Sequence, residues 1–161
     1  MGRREKNRME TKIRYALLED YEDILLIMQQ VVTLHAQWRP DIFKKTGDVL
    51  PFDFYNKIVN GKNILVFEEN KKIAGFIIFL VRHIEDDILS ERNILFIDTL
   101  AVDEQYRGQG VGRQLLASVK MIKEKEHYDG IELQVNAKNI NARKMYEACG
   151  FSEQSIYMEL L

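Results

Sequence analysis

Gln105-Tyr106-Arg107-Gly108-Gln109-Gly110-Val111-Gly112-Arg113 stands between an apolar run, residues 94–102, and a stretch in which Leu115, Val119 and Ile122 return every three to four positions. The apolar run predicts a strand and the recurrence an amphipathic helix to about residue 125, so three glycines occupy a strand-to-helix turn. Backbone N–H groups and the positive end of a helix dipole at such a turn can bind an anion. Glycine lets a pyrophosphate approach the backbone, and Arg107 and Arg113 add positive charge. A flexible turn without a ligand accounts for the glycines equally well. A Walker A loop is absent, because Arg113 and Gln114 stand where Lys and Ser or Thr are needed; a dinucleotide fingerprint would need its third glycine at position 113.

Upstream of the loop, residues 12–15 predict a short strand. A helix follows with Asp20 as its N-cap and Ile24, Ile27, Met28, Val31 and His35 along one face. Residues 38–51 hold both prolines and Gly47 and predict irregular chain, then a short helix over 53–59. Residues 64–67 and 73–81 predict a β-hairpin turning near Asn70, and the charged residues 84–92 a solvated loop. Downstream, Ile131, Leu133 and Val135 alternate with polar residues, which predicts a strand with one buried face. Ala142, Met145, Tyr146 and Cys149 share a helical face, and Gly150 followed by Phe151 predicts a Schellman-type stop. A last strand is expected over residues 154–160. The order implies fold class α/β (α+β), a mixed sheet covered by helices, with no repeats.

A chain of 161 residues, 46% hydrophobic and 30% charged, suits one domain over residues 12–161 behind a polar tail, residues 1–11, in which Met9 is an alternative start to Met1. The net charge of -2 gives no basic field for nucleic acid. One cysteine, Cys149, and three histidines form no disulfide and no zinc ligand set, so no metal is expected and a reducing cytoplasm fits. No apolar run approaches the length of a membrane span, and no signal-peptide core is apparent; no membrane partner is expected.

The loop also resembles the motif of the GNAT superfamily of N-acetyltransferases: Arg or Gln, two residues, Gly, one residue, Gly or Ala, met here by Gln105, Gly108 and Gly110. The similarity extends to Leu100-Ala101-Val102 before it, to Asn141-Ala142, Tyr146 and Gly150-Phe151 after it, and to Ile13-Arg14-Tyr15-Ala16 with Asp20 at the opening. Residues 38–61 carry no clear family signature. The resemblance implies a mostly antiparallel sheet of six to seven strands flanked by about four helices, and acetyl-CoA as co-substrate. It implies that the backbone around Arg107, Gly108, Gln109, Gly110, Val111, Gly112 and Arg113 binds the coenzyme A pyrophosphate. It places Leu100, Ala101 and Val102 beside the pantetheine arm and acetyl carbonyl, where two strands splay apart, with Asn136, Asn141, Arg143 and Tyr146 completing the cofactor contacts. An N-capping role explains Asn141 equally simply.

The resemblance implies that Tyr146 protonates the departing thiolate, whereas its helical face alone suggests a core aromatic. Asp98 alternates with Phe96, Leu100 and Val102, and a carboxylate among apolar neighbours needs a partner or a wet cavity. It stands where polyamine-acetylating members of the family carry a base; a salt-bridged structural carboxylate is the alternative. His35, Trp38 and Asp98 are the candidate acceptor-binding residues, though the spacing of His35 also fits a structural histidine. The expected reaction is direct transfer of acetyl to the primary amine of a small molecule or peptide in a ternary complex. A non-catalytic acyl-CoA-binding regulatory module is the rival reading. The strand-forming C-terminus suggests a homodimer.

Overall fold

The computed structural model describes residues 11–44 and 47–161, so the polar tail apart from Thr11, and with it the choice between Met1 and Met9, lies outside the described residues. Five strands form one sheet in sequential order: β1 (Thr11–Tyr15), β2 (Ile64–Glu69), β3 (Lys72–Asp86), β4 (Leu89–Val102) and β5 (Gly130–Leu133). Neighbours are antiparallel except β4 and β5, which run parallel. A parallel pair needs a crossover. It is supplied by the glycine-rich loop and helix α3 (Val111–Glu126).

Helices cover both faces. On one, Ile24, Ile27 and Met28 of α1 (Tyr21–Trp38) and Tyr55 and Ile58 of α2 (Phe52–Asn60) pack on Val66, Phe76, Ile78 and Ala101. On the other, Leu115, Leu116 and Val119 of α3 pack on Leu65, Ile77, Phe79, Leu95 and Ile97, and Met145 and Tyr146 of α4 (Ile140–Ala148) join them. Residues 73–79 of β3 are therefore buried continuously, as a strand covered on both faces must be. Among the described residues, no helix is long and apolar enough to cross a membrane.

Asp20 stands at the N-cap position of α1 but does not cap it. Its carboxylate accepts two hydrogen bonds from Arg14, at 2.7 and 2.9 Å, and one from the Leu17 N–H at 2.7 Å. Arg14 also donates to Glu68 at 2.7 Å, so this network joins β1, β2 and the entry to α1.

Three expectations need correction. The charged residues 84–92 are not a loop, because β3 and β4 continue as a ribbon to Asp86 and Leu89, with His83 Nδ1 2.9 Å from Asn93 Oδ1 across it. Their polarity reports solvation, which an exposed ribbon has as fully as a loop. β5 stops at Leu133, short of Val135. No strand forms over residues 154–160, so among the described residues the sheet has five strands and not six or seven: Ile156, Tyr157, Met158 and Leu160 are 75–99% exposed and gain no buried face.

Candidate active site

The loop after β4 is built to leave its amides free. Asp103 caps a single 3-10 turn, Glu104–Tyr106, by accepting from the Gln105 N–H at 2.9 Å. Gly108 and Gly110 then take φ of +76° and +84°, and open space surrounds both positions. A left-handed backbone strains any side chain with a β-carbon, so glycine is required to shape the turn. Gly110 is the N-cap of α3, with no side chain closing the helix end. The next close backbone donor after Tyr106 is Gln114, bonding to the Gly110 carbonyl at 3.1 Å, so among the described residues the N–H groups of residues 107–113 make no close hydrogen bond to a protein acceptor. An array of unused amides at a helix N-terminus has the chemistry for a pyrophosphate. The exposed Arg113 and Arg107 add charge, and Arg107 Nε is held 3.2 Å from the Val102 carbonyl.

Gly112 sets how close this helix end lies to the strands. A β-carbon there would sit 3.1 Å from Met145 Sδ on α4 and 3.8 Å from Val102 Cγ2 on β4. The loop is thus pressed between the ends of β4 and α4. Parallel pairing of β4 with β5 ends at Ile97↔Leu133, while β4 runs on to Val102. Leu100, Ala101 and Val102 therefore lie beyond the last pair with β5, on the end of β4 that leads into the amide array.

The register of β3 and β4 slips between Ile78↔Thr99 and Phe79↔Ile97, which leaves Asp98 as an unpaired bulge residue. The slip corrects the simple alternation. Phe96, across from Leu80, lies on the α1 side, and Leu100 and Val102 pack on the α3 side, so Asp98 does not share one face with all three. It is exposed, and Thr99 Oγ1 donates to it at 3.0 Å. Among the described residues no salt bridge occupies this carboxylate, and it is not buried. A bulge re-aims a side chain, and here the carboxylate is turned to solvent just past the last β4–β5 pair.

On α4, Asn139 is the N-cap, accepting from the Ala142 N–H at 3.2 Å; Asn141 is exposed and does not cap. Asn136 is engaged in the turn before α4, its Oδ1 accepting from the Lys138 N–H at 2.9 Å. Arg143 donates to Glu153 at 2.6 Å. The helix ends as a Schellman motif, with Phe151 N–H to Tyr146 O at 3.0 Å, Gly150 N–H to Glu147 O at 2.9 Å, and φ of +91° at Gly150. That stop brings Phe151 edge-on to Tyr146 at 5.7 Å between ring centres. Among the described residues the Tyr146 hydroxyl has no hydrogen-bond partner. Burial pushes the phenol up to about 12, with Cys149 acting in the same direction, so it keeps its proton at neutral pH.

His35 is half-buried and stacks with Trp38 at 5.5 Å and Phe43 at 5.0 Å; burial lowers its pKa. It belongs to the aromatic wall ending α1. Lys138 Nζ donates to the Trp38 carbonyl at 3.0 Å, so this wall is tied to the turn carrying Asn136. Sequence reasoning missed Gln30, the side chain on α1 that joins this helix to the start of the glycine loop. A cavity of about 220 Å³ between Tyr15, Lys62, Phe79, Val81, Ile122 and Tyr128 lies toward the opposite ends of β4 and α3 and shares no residue with the loop.

The sequence pattern of the acetyltransferase (GNAT) family matches residues 28–151. A mutant of the BH1408 protein from Bacillus halodurans superposes with a TM-score of 0.89 at 30% identity, covering 93% of this chain and 98% of that one. The [ribosomal protein bS18]-alanine N-acetyltransferase of Escherichia coli K12 is 35% identical over 98 residues, 60% of each chain. The chain spans 24–60% of the length of the curated relatives it matches. An aminoglycoside N-acetyltransferase, AAC(6')-Iy, solved in complex with CoA, shares the fold at a TM-score of 0.69 and 16% identity.

Proposed function

Because the chain belongs to the acetyltransferase (GNAT) family, we propose that it transfers the acetyl group of acetyl-CoA to a primary amine of a small molecule or peptide, with both substrates bound together. The observation that carries this reading is the run of amides without close protein partners at residues 107–113, directly after the end of β4 that runs past its last pair with β5. Acetyl-CoA supplies an activated acetyl thioester when bound.

The amides of residues 107–113, with Arg107 and Arg113, would hold the pyrophosphate, and the exposed Asn141 adds a polar contact from α4. Backbone groups of Leu100, Ala101 and Val102, beyond the last β5 pair, would orient the pantetheine arm and polarise the carbonyl. A protonated amine has no lone pair to attack with, so Asp98 takes its proton directly or through a water molecule. Tyr146, neutral and uncommitted, gives its proton to the departing sulfur. His35 and Trp38 form the acceptor wall. A cytoplasmic setting follows from the lone Cys149 and the solubility of the substrates.

The test is acceptor-dependent release of coenzyme A, measured across polyamines, amino acids and peptides beginning with alanine, the last chosen for the printed activity of the Escherichia coli relative. Release lost in Asp98→Asn and Tyr146→Phe supports the assignment. Tight coenzyme A binding with no turnover on any amine replaces it with the regulatory binding module.

A further inference from the structure

Two exposed side chains of opposite charge, Arg82 and Asp98, stand on one face of the sheet, and neither has a salt-bridge partner among the described residues. Arg82 of β3 shares the α1 side with Phe96 of β4, since it follows Leu80 by two residues and Leu80 is the partner of Phe96. Asp98 joins them there. Neighbouring side chains of a regular strand point to opposite faces and do not meet, whereas Thr99 Oγ1 reaches Asp98 at 3.0 Å, so the bulge turns Asp98 toward the face of Thr99. That face is the α1 side, because Thr99 pairs with Ile78 of the core beneath α1 and α2. Phe96 lies outside that core and is half-buried.

Phe96 holds Arg82 in place. The guanidinium carbon sits 3.3 Å from the centre of the ring, a distance reached only when the guanidinium lies flat on the ring face. Stacking fixes its plane and leaves the N–H groups, which point outward within that plane, ready to donate. Among the described residues, none accepts from them. Glu132, the carboxylate across from Phe96 on β5, is already engaged, accepting from Arg92 at 3.1 Å and from Gln154 at 3.2 Å. Arg82 is therefore an oriented fork of donors without an anion, resting on a residue two positions from a carboxylate without a cation.

We propose that Arg82 binds a carboxylate of the acceptor, so that the amine deprotonated by Asp98 belongs to a free α- or β-amino acid and not to a polyamine. This assignment rests on the acetyl-transfer reading and names its substrate class. A zwitterion matches the pair of charges in both sign and number. Residues two apart on a strand stand about 7 Å from each other, a spacing of the order that an amine and carboxylate two or three bonds apart bridge with a hydrogen bond at each end. A carboxylate fits better than a phosphate, because one planar fork pairs with two coplanar oxygens and Arg92, the other arginine of this face, is held by Glu132. The transfer itself is unaltered: the C–N bond forms as the C–S bond breaks, Asp98 takes the amine proton, and Tyr146 gives a proton to the sulfur.

The measurement is coenzyme A release with alanine and β-alanine, each against its own amide, and with spermidine, in wild type and Arg82→Gln. Acid and amide differ in amine basicity, but that difference is common to both proteins and cancels between them. Wild type should favour an acid over its amide in kcat/KM, and Arg82→Gln should reduce that preference at least about tenfold, through KM, with coenzyme A affinity and the circular dichroism spectrum retained. Arg82→Lys, which keeps the charge and loses the fork, should fall between them. Titration calorimetry of the same amino acid into the coenzyme A-loaded protein reads the contact without turnover, and Arg82→Gln should weaken that binding by a similar factor. Equal losses for acid and amide would make Arg82 a cover for Phe96 and overturn the proposal. Turnover of spermidine with no response to either acid overturns it too, while leaving the acetyl-transfer reading intact. No release with any amine counts against acetyl transfer alone if amino-acid binding still depends on Arg82, and against both if no amino acid binds.

Discussion

Gln30 holds Asp103 from across the fold: its Nε2 donates to the Asp103 carboxylate at 3.0 Å, while its Oε1 accepts from the next amide, Glu104 N–H, at 3.0 Å. The same carboxylate caps the turn leading into the glycines. One side chain of α1 therefore fixes the start of the loop whose amides remain free, and α1 ends in the aromatic wall of His35 and Trp38. Gln30→Ala removes two hydrogen bonds of modest individual worth. Coenzyme A affinity should fall about three- to tenfold, by titration calorimetry, with the circular dichroism spectrum retained. Unchanged affinity would show that the loop holds its shape without the latch.

Gly110→Ala separates shape from space. No heavy atom lies within 4 Å of the added carbon, so the penalty is the positive φ, about 1–2 kcal/mol. A methyl group in the mouth of the amide array should weaken coenzyme A binding by at least about tenfold, while thermal unfolding of the ligand-free protein shifts by only a few degrees. Equal losses of binding and stability would mean that the glycine serves the fold alone.

Tyr146→Phe should leave coenzyme A binding and stability at pH 7 nearly unchanged, because the lost hydroxyl has no partner among the described residues, yet lower kcat by about a hundredfold or more. Burial pushes the folded phenol up to about 12 from an ordinary 10.0. A group raised on folding contributes its stability below the unfolded value and loses it as pH rises through the folded value. Wild type should therefore lose stability relative to Tyr146→Phe between pH 10 and 12 and show no difference in slope below pH 9, as read by urea unfolding. A kcat equal to wild type would remove Tyr146 from the chemistry.

What could be read from the residues was whatever depends on near neighbours in sequence. The glycine loop was legible because positive φ and anion chemistry both demand glycine before a helix, and the α4 stop because Gly150 and Phe151 carry a local motif. The bulge at Asp98 was not, since one extra residue leaves the composition of a strand unchanged while shifting every later side chain to the other face. Asn139 and Asn141 are both able caps, and only the backbone decides between them. The Gln30 latch joins residues 73 positions apart, and no local pattern marks such a pair. The missing last strand follows the same logic: residues 154–160 have strand chemistry, but a strand exists only where an edge receives it.

Asp20 tests the network that joins β1 to α1. Its side chain is 8% exposed, and burial alone would push its pKa up; the Arg14 guanidinium and the Leu17 N–H outweigh burial and hold it below the ordinary 3.8. A carboxylate lowered on folding contributes stability above its unfolded value, and that contribution is lost as pH falls through the folded one. Asp20→Asn keeps an oxygen for the Leu17 amide but leaves Arg14 with Glu68 as its remaining carboxylate and with the Tyr15 carbonyl, and breaking a buried pair costs about 3 kcal/mol. Urea unfolding at pH 7 should show that loss, the gap between wild type and variant should hold to about pH 5, and it should narrow below pH 4. A gap independent of pH down to 3 would assign the stabilisation to shape and not to charge.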